Sequence, residues 1–326
     1  MSKPLSINFV IEGSGRLGYL GCSTAAQYLV DSLKKDGIDI VVNGSGSYDI
    51  VHAHTFGPYA LWKKRKGKTS VITAHSTPSL NKNNIAFGNS IWPSIYRHAY
   101  NSFDHVIAVS ETSKHELQQI GIRKPIEIIP NGIIMERFRY NERTGAEFRK
   151  QWNIEGPMVL NVGQITPRKG VYDFIAVAKA LPDIQFVWVG GIPYGPLSAD
   201  YFKVRKLIKN AGGLSNLKFT GFVEDIVAAY SAADILLAPT YAESFGLNIV
   251  EALSCGLPVV ARDLPVFREL FGDVLFYARD VEGFCARLEK IKPGQRSKNS
   301  VQCAARYDVR MVAERLKHYY FSIAQK

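Results

Sequence analysis

Cysteine is scarce in this chain, and the little there is does not suggest pairing. Cys22, Cys255, Cys285 and Cys303 are the four cysteines in 326 residues. No C-x-x-C occurs and no histidine stands near them at metal-ligand spacing, so neither a disulfide framework nor a structural zinc site is expected. Long apolar runs are also missing. No stretch approaches the roughly 18 apolar residues of a membrane-crossing helix, although 46% of the residues are hydrophobic, so the composition predicts a soluble globular protein. The first residues, Met1-Ser2-Lys3-Pro4, lead directly into a strand pattern. That leaves no room for a cleavable leader and predicts a cytoplasmic protein.

Acidic residues are the minority charge: 29 Asp and Glu face 40 Lys and Arg, a net charge of +11. Residues 1–150 hold 19 of the basic and 12 of the acidic side chains, so a surplus of seven lies in the first half and four in the rest. A basic half of this kind suits an anionic or lipid-linked acceptor, or an anionic membrane surface at the cytoplasmic face. Nucleic acid is disfavoured, because no nucleic-acid-binding module accompanies the charge. The densest cluster, WKKRKGK at 62–68, reads equally well as the solvated end of a helix before a strand.

What is present is a regular alternation of strand and helix patterns. Short apolar strands are predicted at 6–11, 38–42, 48–54, 69–78, 104–110 and 125–133, with helices at 22–35, 91–100 and 111–120 between them. The polar, charged stretch 135–157 reads as a connection. The alternation then restarts with strands at 158–163, 185–189, 217–222 and 235–239, a further strand from Val259, helices at 171–181 and 227–231, and an amphipathic helix at 310–323. Two doubly wound α/β domains follow, at 1–150 and 151–310, with residues 311–326 as a terminal helix that crosses back to the first.

Functional side chains of such sheets collect at the carboxyl ends of strands. His54 and His75 end two strand patterns of the first domain; His75 is the stronger candidate, and His52 and His54 read as histidines that cap loops. The glycine-rich GSGRLG at 13–18 has the form of a dinucleotide fingerprint, but the acidic residue about 20 positions on that would hold a ribose is missing. The helix 91–100 places Ile91, Trp92, Ile95, Tyr96 and Ala99 on one stripe, for the core or, with Phe87, for an interface. In the second domain Arg168 and Lys169 follow a strand and suit phosphate charges.

The stretch 240–262 carries the densest information. A buried strand ends at Thr240, Ser244-Phe245-Gly246 opens a helix, and Gly256 and Pro258 close it before the next strand. The amides of Phe245, Gly246, Leu247 and Asn248 would lie at the positive end of that helix, ready for phosphate or sugar oxygens. Glu243 precedes it, and Glu251 lies inside it on a partly buried face.

ESFGLNIVEALSCGLPVV at 243–260 resembles the E-x7-E signature of the retaining family 4 glycosyltransferases. DHVIAVS at 104–110, IPNG at 129–132 and Lys169-Gly170 match further motifs of that family in order. Where the family carries arginine, this chain has Gln164. The resemblance implies the GT-B fold, two facing Rossmann-like domains with the donor held mainly by the second and the acceptor by the first. It implies retaining transfer of a hexose from a nucleotide diphosphate sugar to an acceptor hydroxyl, as of a lipid or cell-envelope glycan precursor, with the nucleotide sugar as co-substrate and no other cofactor. By the same resemblance Glu243 faces the donor sugar, Glu251 the ribose and diphosphate side, His75 the transferring sugar, and Gly21 the donor phosphates. Arg168, Lys169 and the helix-start amides would take the place of a metal; no D-x-D motif accompanies the site. A nucleotide-sugar 2-epimerase and a non-catalytic sugar-nucleotide-binding subunit are the alternatives on the same fold.

Overall fold

The computed structural model describes residues 5–12, 21–55, 57–81, 91–192, 195–211 and 213–324, leaving the side chains of 21–24 aside. The glycine-rich stretch 13–20 and Phe87 lie outside the described residues. The chain forms two compact units, one of residues 1–78, 89–134 and 307–326, the other of 79–88 and 135–306.

The first unit holds a six-stranded parallel sheet of β1 (Ser6–Val10), β2 (Asp39–Val42), β3 (Tyr48–Ala53), β4 (Gly67–Ala74), β5 (His105–Ala108) and β6 (Ile126–Ile128). Its order is β2-β1-β3-β4-β5-β6. The second unit repeats the plan with β7 (Met158–Val162), β8 (Gln185–Val189), β9 (Leu217–Gly221), β10 (Ile235–Ala238), β11 (Val259–Arg262) and β12 (Phe276–Ala278). Here the order is β12-β11-β10-β7-β8-β9. The α/β alternation seen in the sequence thus yields two parallel sheets, and the inner strands β1, β3, β4, β5, β7, β8, β10 and β11 are buried along most of their length, as helices on both faces require. In the second unit Phe174 meets Phe186 and Trp188 edge-on, at ring-centroid distances of 5.5 and 5.1 Å, and all three rings are buried.

The terminal helix Val309–Ala324 belongs to the first unit and packs on the helix Gly21–Lys35. Ile133 and Val309 fasten its entry, the Ile133 amide donating to Tyr307 O at 2.9 Å and the Val309 amide to Ile133 O at 2.8 Å.

The stretch 135–157 departs from its expected role as a polar connection. Glu142–Gln151 is a helix capped by Asn141, and it belongs with the second unit. Gly145 lies so close to the helix Ile226–Ala232 that a Cβ would fall 2.8 Å from the Ser231 carbonyl carbon. Arg149 donates to Ala232 O and to the Asp234 carboxylate, both at 2.8 Å. Composition hid this helix because a single large apolar side chain, Phe148, is buried along it, too few to set a period.

The basic cluster at 62–68 is also less free than its composition suggests. Lys63 is buried with its ammonium on Gly44 O, Lys64 donates to Ser102 O, and Lys68 pairs with Asp49 at 2.7 Å. Arg65 and Lys66 remain exposed beside Trp62, which is 54% exposed. On the helix Trp92–Asn101 the residues Tyr96, Ala99 and Tyr100 face the core, whereas Ile91 and Ile95 of the expected stripe are exposed.

Candidate active site

In the second sheet the strand order reverses between β7 and β10, which lie side by side while the chain runs outward from each in opposite directions. Ligands of open α/β sheets bind at such a switch point, outside the carboxyl ends of the strands. The loop after β7 carries Gln164, Arg168 and Lys169; the loop after β10 carries Thr240 to Gly246.

The two loops are laced together. The Arg168 carbonyl accepts from the Tyr241 amide at 2.8 Å and the Thr240 hydroxyl at 3.1 Å. Thr166 caps the short turn Pro167–Lys169, and Gly170 follows at φ +79°. Asp173 adds a brace: its carboxylate takes the Tyr241 hydroxyl at 2.8 Å and pairs with Arg262, whose guanidinium lies over the Tyr241 ring.

On this frame three sequence-predicted side chains converge. Lys169 is ion-paired with Glu243, and Arg168 Nη1 lies 3.7 Å from the same carboxylate oxygen while donating to Ala242 O at 2.8 Å. Burial alone would raise the Glu243 pKa; the Lys169 and Arg168 charges overcome that and hold it below the usual carboxylate value. Burial lowers the Lys169 ammonium, partly offset by Glu243. Two cations against one carboxylate leave a surplus positive charge in a site shielded from water, where an anion is attracted far more strongly than at the surface. Arg168 Nε and Gln164 Oε1 are buried with no hydrogen-bond partner among the described residues, and buried polar atoms left so are uncommon enough to mark a place where a polar ligand fits.

The helix Leu247–Ser254 starts at Gly246, whose φ of +93° no side-chain cap accompanies. Its carbonyl takes the amides of Ile249 and Val250, and Leu247 and Asn248 form the open first turn. The Asn248 side chain donates to Val162 O at 2.9 Å, fixing that turn to the end of β7. The Phe245 ring is buried.

Glu251 sits one turn on and accepts from the buried Tyr230 hydroxyl at 2.6 Å. Burial pushes its carboxyl up to about 7, against the Tyr230 hydroxyl and Arg137, which lower it. A carboxyl whose folded pKa is raised stabilises the fold below its unfolded value of 4.5 and loses that contribution as pH rises through about 7. Urea unfolding of wild type and Glu251→Gln at pH 5 and pH 8 is therefore expected to give a wild-type stability that drops with pH relative to the variant; parallel pH dependences would contradict the shift. Tyr230 was invisible to motif reading, because its contact to Glu251 joins two helices across the fold.

The first unit contains His75 and Gly21. Gly21 opens the helix Gly21–Lys35 directly after the undescribed glycine stretch. His75 and His54 each follow the last residue of neighbouring strands, β4 and β3, and their Nε2 atoms are 2.8 Å apart. Burial lowers all three nearby imidazoles, His75 to about 4, His52 to about 3 and His54 well below its usual value. His52 is a packing residue: it bonds to Tyr320 of the terminal helix and, at 2.7 Å, to Thr73. His54 was read in the sequence as a loop cap, yet it is a direct partner of His75. The signal that it ends a strand was available; that β3 and β4 are adjacent was not.

Comparison with known proteins adds an independent line. Residues 144–306 match the family model described as glycosyl transferases group 1, and residues 24–137 match that of Glycosyltransferase Family 4. The chain is 31% identical over 255 residues to a processive diacylglycerol alpha-glucosyltransferase of Acholeplasma laidlawii, covering 76% of this chain and 75% of that protein. It is 30% identical over 282 residues to an alpha-galactosylglucosyldiacylglycerol synthase of Streptococcus pneumoniae, covering 82% of this chain and 74% of that one. In fold it is similar to Anabaena Alr3699/HepE in complex with UDP and glucose, at a TM-score of 0.80 and 21% identity over 98% of this chain and 100% of that one.

Proposed function

The chain belongs to glycosyltransferase family 4 and is a hexosyltransferase of GT-B fold, and from that premise we propose that it moves a hexose from a nucleotide diphosphate donor to a glycerolipid hydroxyl with retention. The observation that carries the donor half is the cluster of Lys169, Arg168 and Glu243 beside the open start of the helix Leu247–Ser254. As the bond from sugar to diphosphate breaks, negative charge grows on the leaving phosphate. Lys169, Arg168 and the first-turn amides of Leu247 and Asn248 stabilise it without a metal. Arg168 serves in place of the family arginine, a position held here by Gln164.

Glu243 acts by binding sugar hydroxyls. A covalent role is disfavoured because Lys169 neutralises one of its oxygens and the Ser244 amide donates to the other at 3.3 Å; a carboxylate so engaged is a weak nucleophile. Glu251 orients the ribose, Gly21 adjoins the donor phosphates, and His75 steadies the transferring sugar. The acceptor is deprotonated by an oxygen of the donor phosphate on the same face.

The acceptor half rests on the two relatives, which are named for diacylglycerol glycosylation, and on the first unit's exposed Trp62, Ile91 and Ile95, each a few positions along the chain from an exposed cation, Arg65, Lys66 or Arg97. Exposed apolar side chains among cations suit an anionic lipid surface. No helix among the described residues is long and apolar enough to cross a membrane.

The deciding experiment presents UDP-hexoses with vesicles containing diacylglycerol or monohexosyl diacylglycerol, with and without EDTA. Transfer to lipid, undiminished by EDTA, with the anomeric configuration of the donor retained is the expected result. Binding to vesicles rich in anionic lipid should weaken as salt rises, and equal flotation with neutral vesicles would remove the membrane part. An epimerised donor accumulating in the absence of acceptor would overturn the transferase reading.

A further inference from the structure

The pair His54 and His75 carries more than the proposed role of His75. Two ring nitrogens 2.8 Å apart share a single proton, so one imidazole donates and the other accepts. Which does so is settled by the far side of His54. Its ring is 1% exposed, packed against Phe9 at a centroid distance of 5.3 Å, and its Nδ1 meets no partner among the described residues. Asn131, Pro130, His52 and Thr73 line the small cavity beside it and none reaches that atom. A buried N–H without an acceptor is more costly than a buried lone pair without a donor. His54 therefore carries its proton on Nε2 and donates it to His75 Nε2.

We propose that His54 is the positioning residue of His75, locking it as the Nδ1–H tautomer so that its free ring nitrogen meets substrate as a neutral hydrogen-bond donor and not as a base. The inference rests on the reading of His75 as a residue that touches the transferring sugar. Burial disfavours both imidazolium forms, which agrees with a neutral pair, and a neutral donor adds no positive charge beside a sugar that becomes cationic as its bond to phosphate breaks. It also leaves deprotonation of the acceptor to the donor phosphate. The backbone supports the geometry: the His54 amide donates to Val10 O at 2.9 Å, and Tyr100 pins the loop after His75 by donating to Ser76 O at 2.6 Å.

The test is a long-range proton–nitrogen spectrum of the full chain with nitrogen-15 histidine, the His75 signals assigned by their loss in His75→Gln. Expected are a protonated Nδ1 and an acceptor Nε2 on His75, with a protonated Nε2 on His54. His54→Phe fills the same space without a donor; it should release the His75 tautomer and lower kcat/KM by roughly tenfold to a hundredfold. His54→Gln, whose side-chain amide donates from a similar position, should keep both. A wild-type His75 protonated on Nε2, or a His54→Gln as impaired as His54→Phe, overturns the inference while leaving the transferase reading intact. Absence of sugar transfer by wild type, with the tautomers as stated, fails the reading of the reaction and not the pairing.

Discussion

Lys169→Met is expected to lower kcat/KM for sugar transfer by ~10²–10³, the loss that follows removal of one group stabilising charge in the transition state. Lys169 is the cation in direct contact with Glu243, and it is buried, so no solvent ion takes over its charge cheaply. The same substitution strands Glu243, and breaking a buried pair by removing one partner costs roughly 3–5 kcal/mol of stability. Arg168, 3.7 Å from the carboxylate, retains part of the attraction and places the cost toward the low end. Stability and activity are separated by adding Glu243→Gln: the double variant should regain thermal stability and remain inactive. Arg168→Ala should weaken donor binding as well, since its Nε has no partner among the described residues and a ligand phosphate would supply one. Unchanged donor affinity in Arg168→Ala would end the idea that it stands in for the family arginine, and full activity in Lys169→Met would end the assignment of this cluster to the leaving group.

Gly170→Ala is expected to be strongly destabilising to the second unit. Gly170 lies at φ +79°, and a Cβ there would come within 2.3 Å of the Pro239 carbonyl oxygen. The left-handed backbone costs an alanine ~1–2 kcal/mol, and pushing the β10 loop aside adds roughly 1–3 kcal/mol. For a unit of this size the sum corresponds to a melting temperature lower by roughly 10 °C. The loop that must move is the one that carries Thr240 to Glu243, so residual activity should fall further than the folded fraction. A melting temperature within a degree or two of wild type would mean that the two loops are not fitted as closely as the distance implies. Gly190 invites the same argument, with a Cβ 2.0 Å from Gly163 O, but there the contact joins β8 to the loop after β7 and leaves Glu243 untouched.

Much of the candidate site was legible in advance. The spacing of Glu243 and Glu251 about Ser244-Phe245-Gly246, and the Arg168-Lys169-Gly170 run after a strand, marked the two loops before any coordinates. The helix at 142–151 escaped because its buried face is small, and Lys63 and Lys64 of the basic cluster were misjudged because what they bond to is backbone carbonyl, which no sequence pattern displays. His54 and Tyr230 were underrated for a related reason: each matters through one contact to a residue on another element.

The sequence by itself determined that this protein would be two parallel α/β units with a returning terminal helix, and which loops would form its candidate site. Those features follow from periodicity, turn residues and local spacing, all of which act over a few neighbouring positions. The tertiary structure decided which side chains meet. Lys169 reaches Glu243 because β7 and β10 are neighbours at the reversal of strand order, and His54 reaches His75 because β3 lies beside β4. Strand neighbours are selected by how whole crossover units pack into a sheet, a choice made by burial summed over the unit, and no short stretch of residues encodes it.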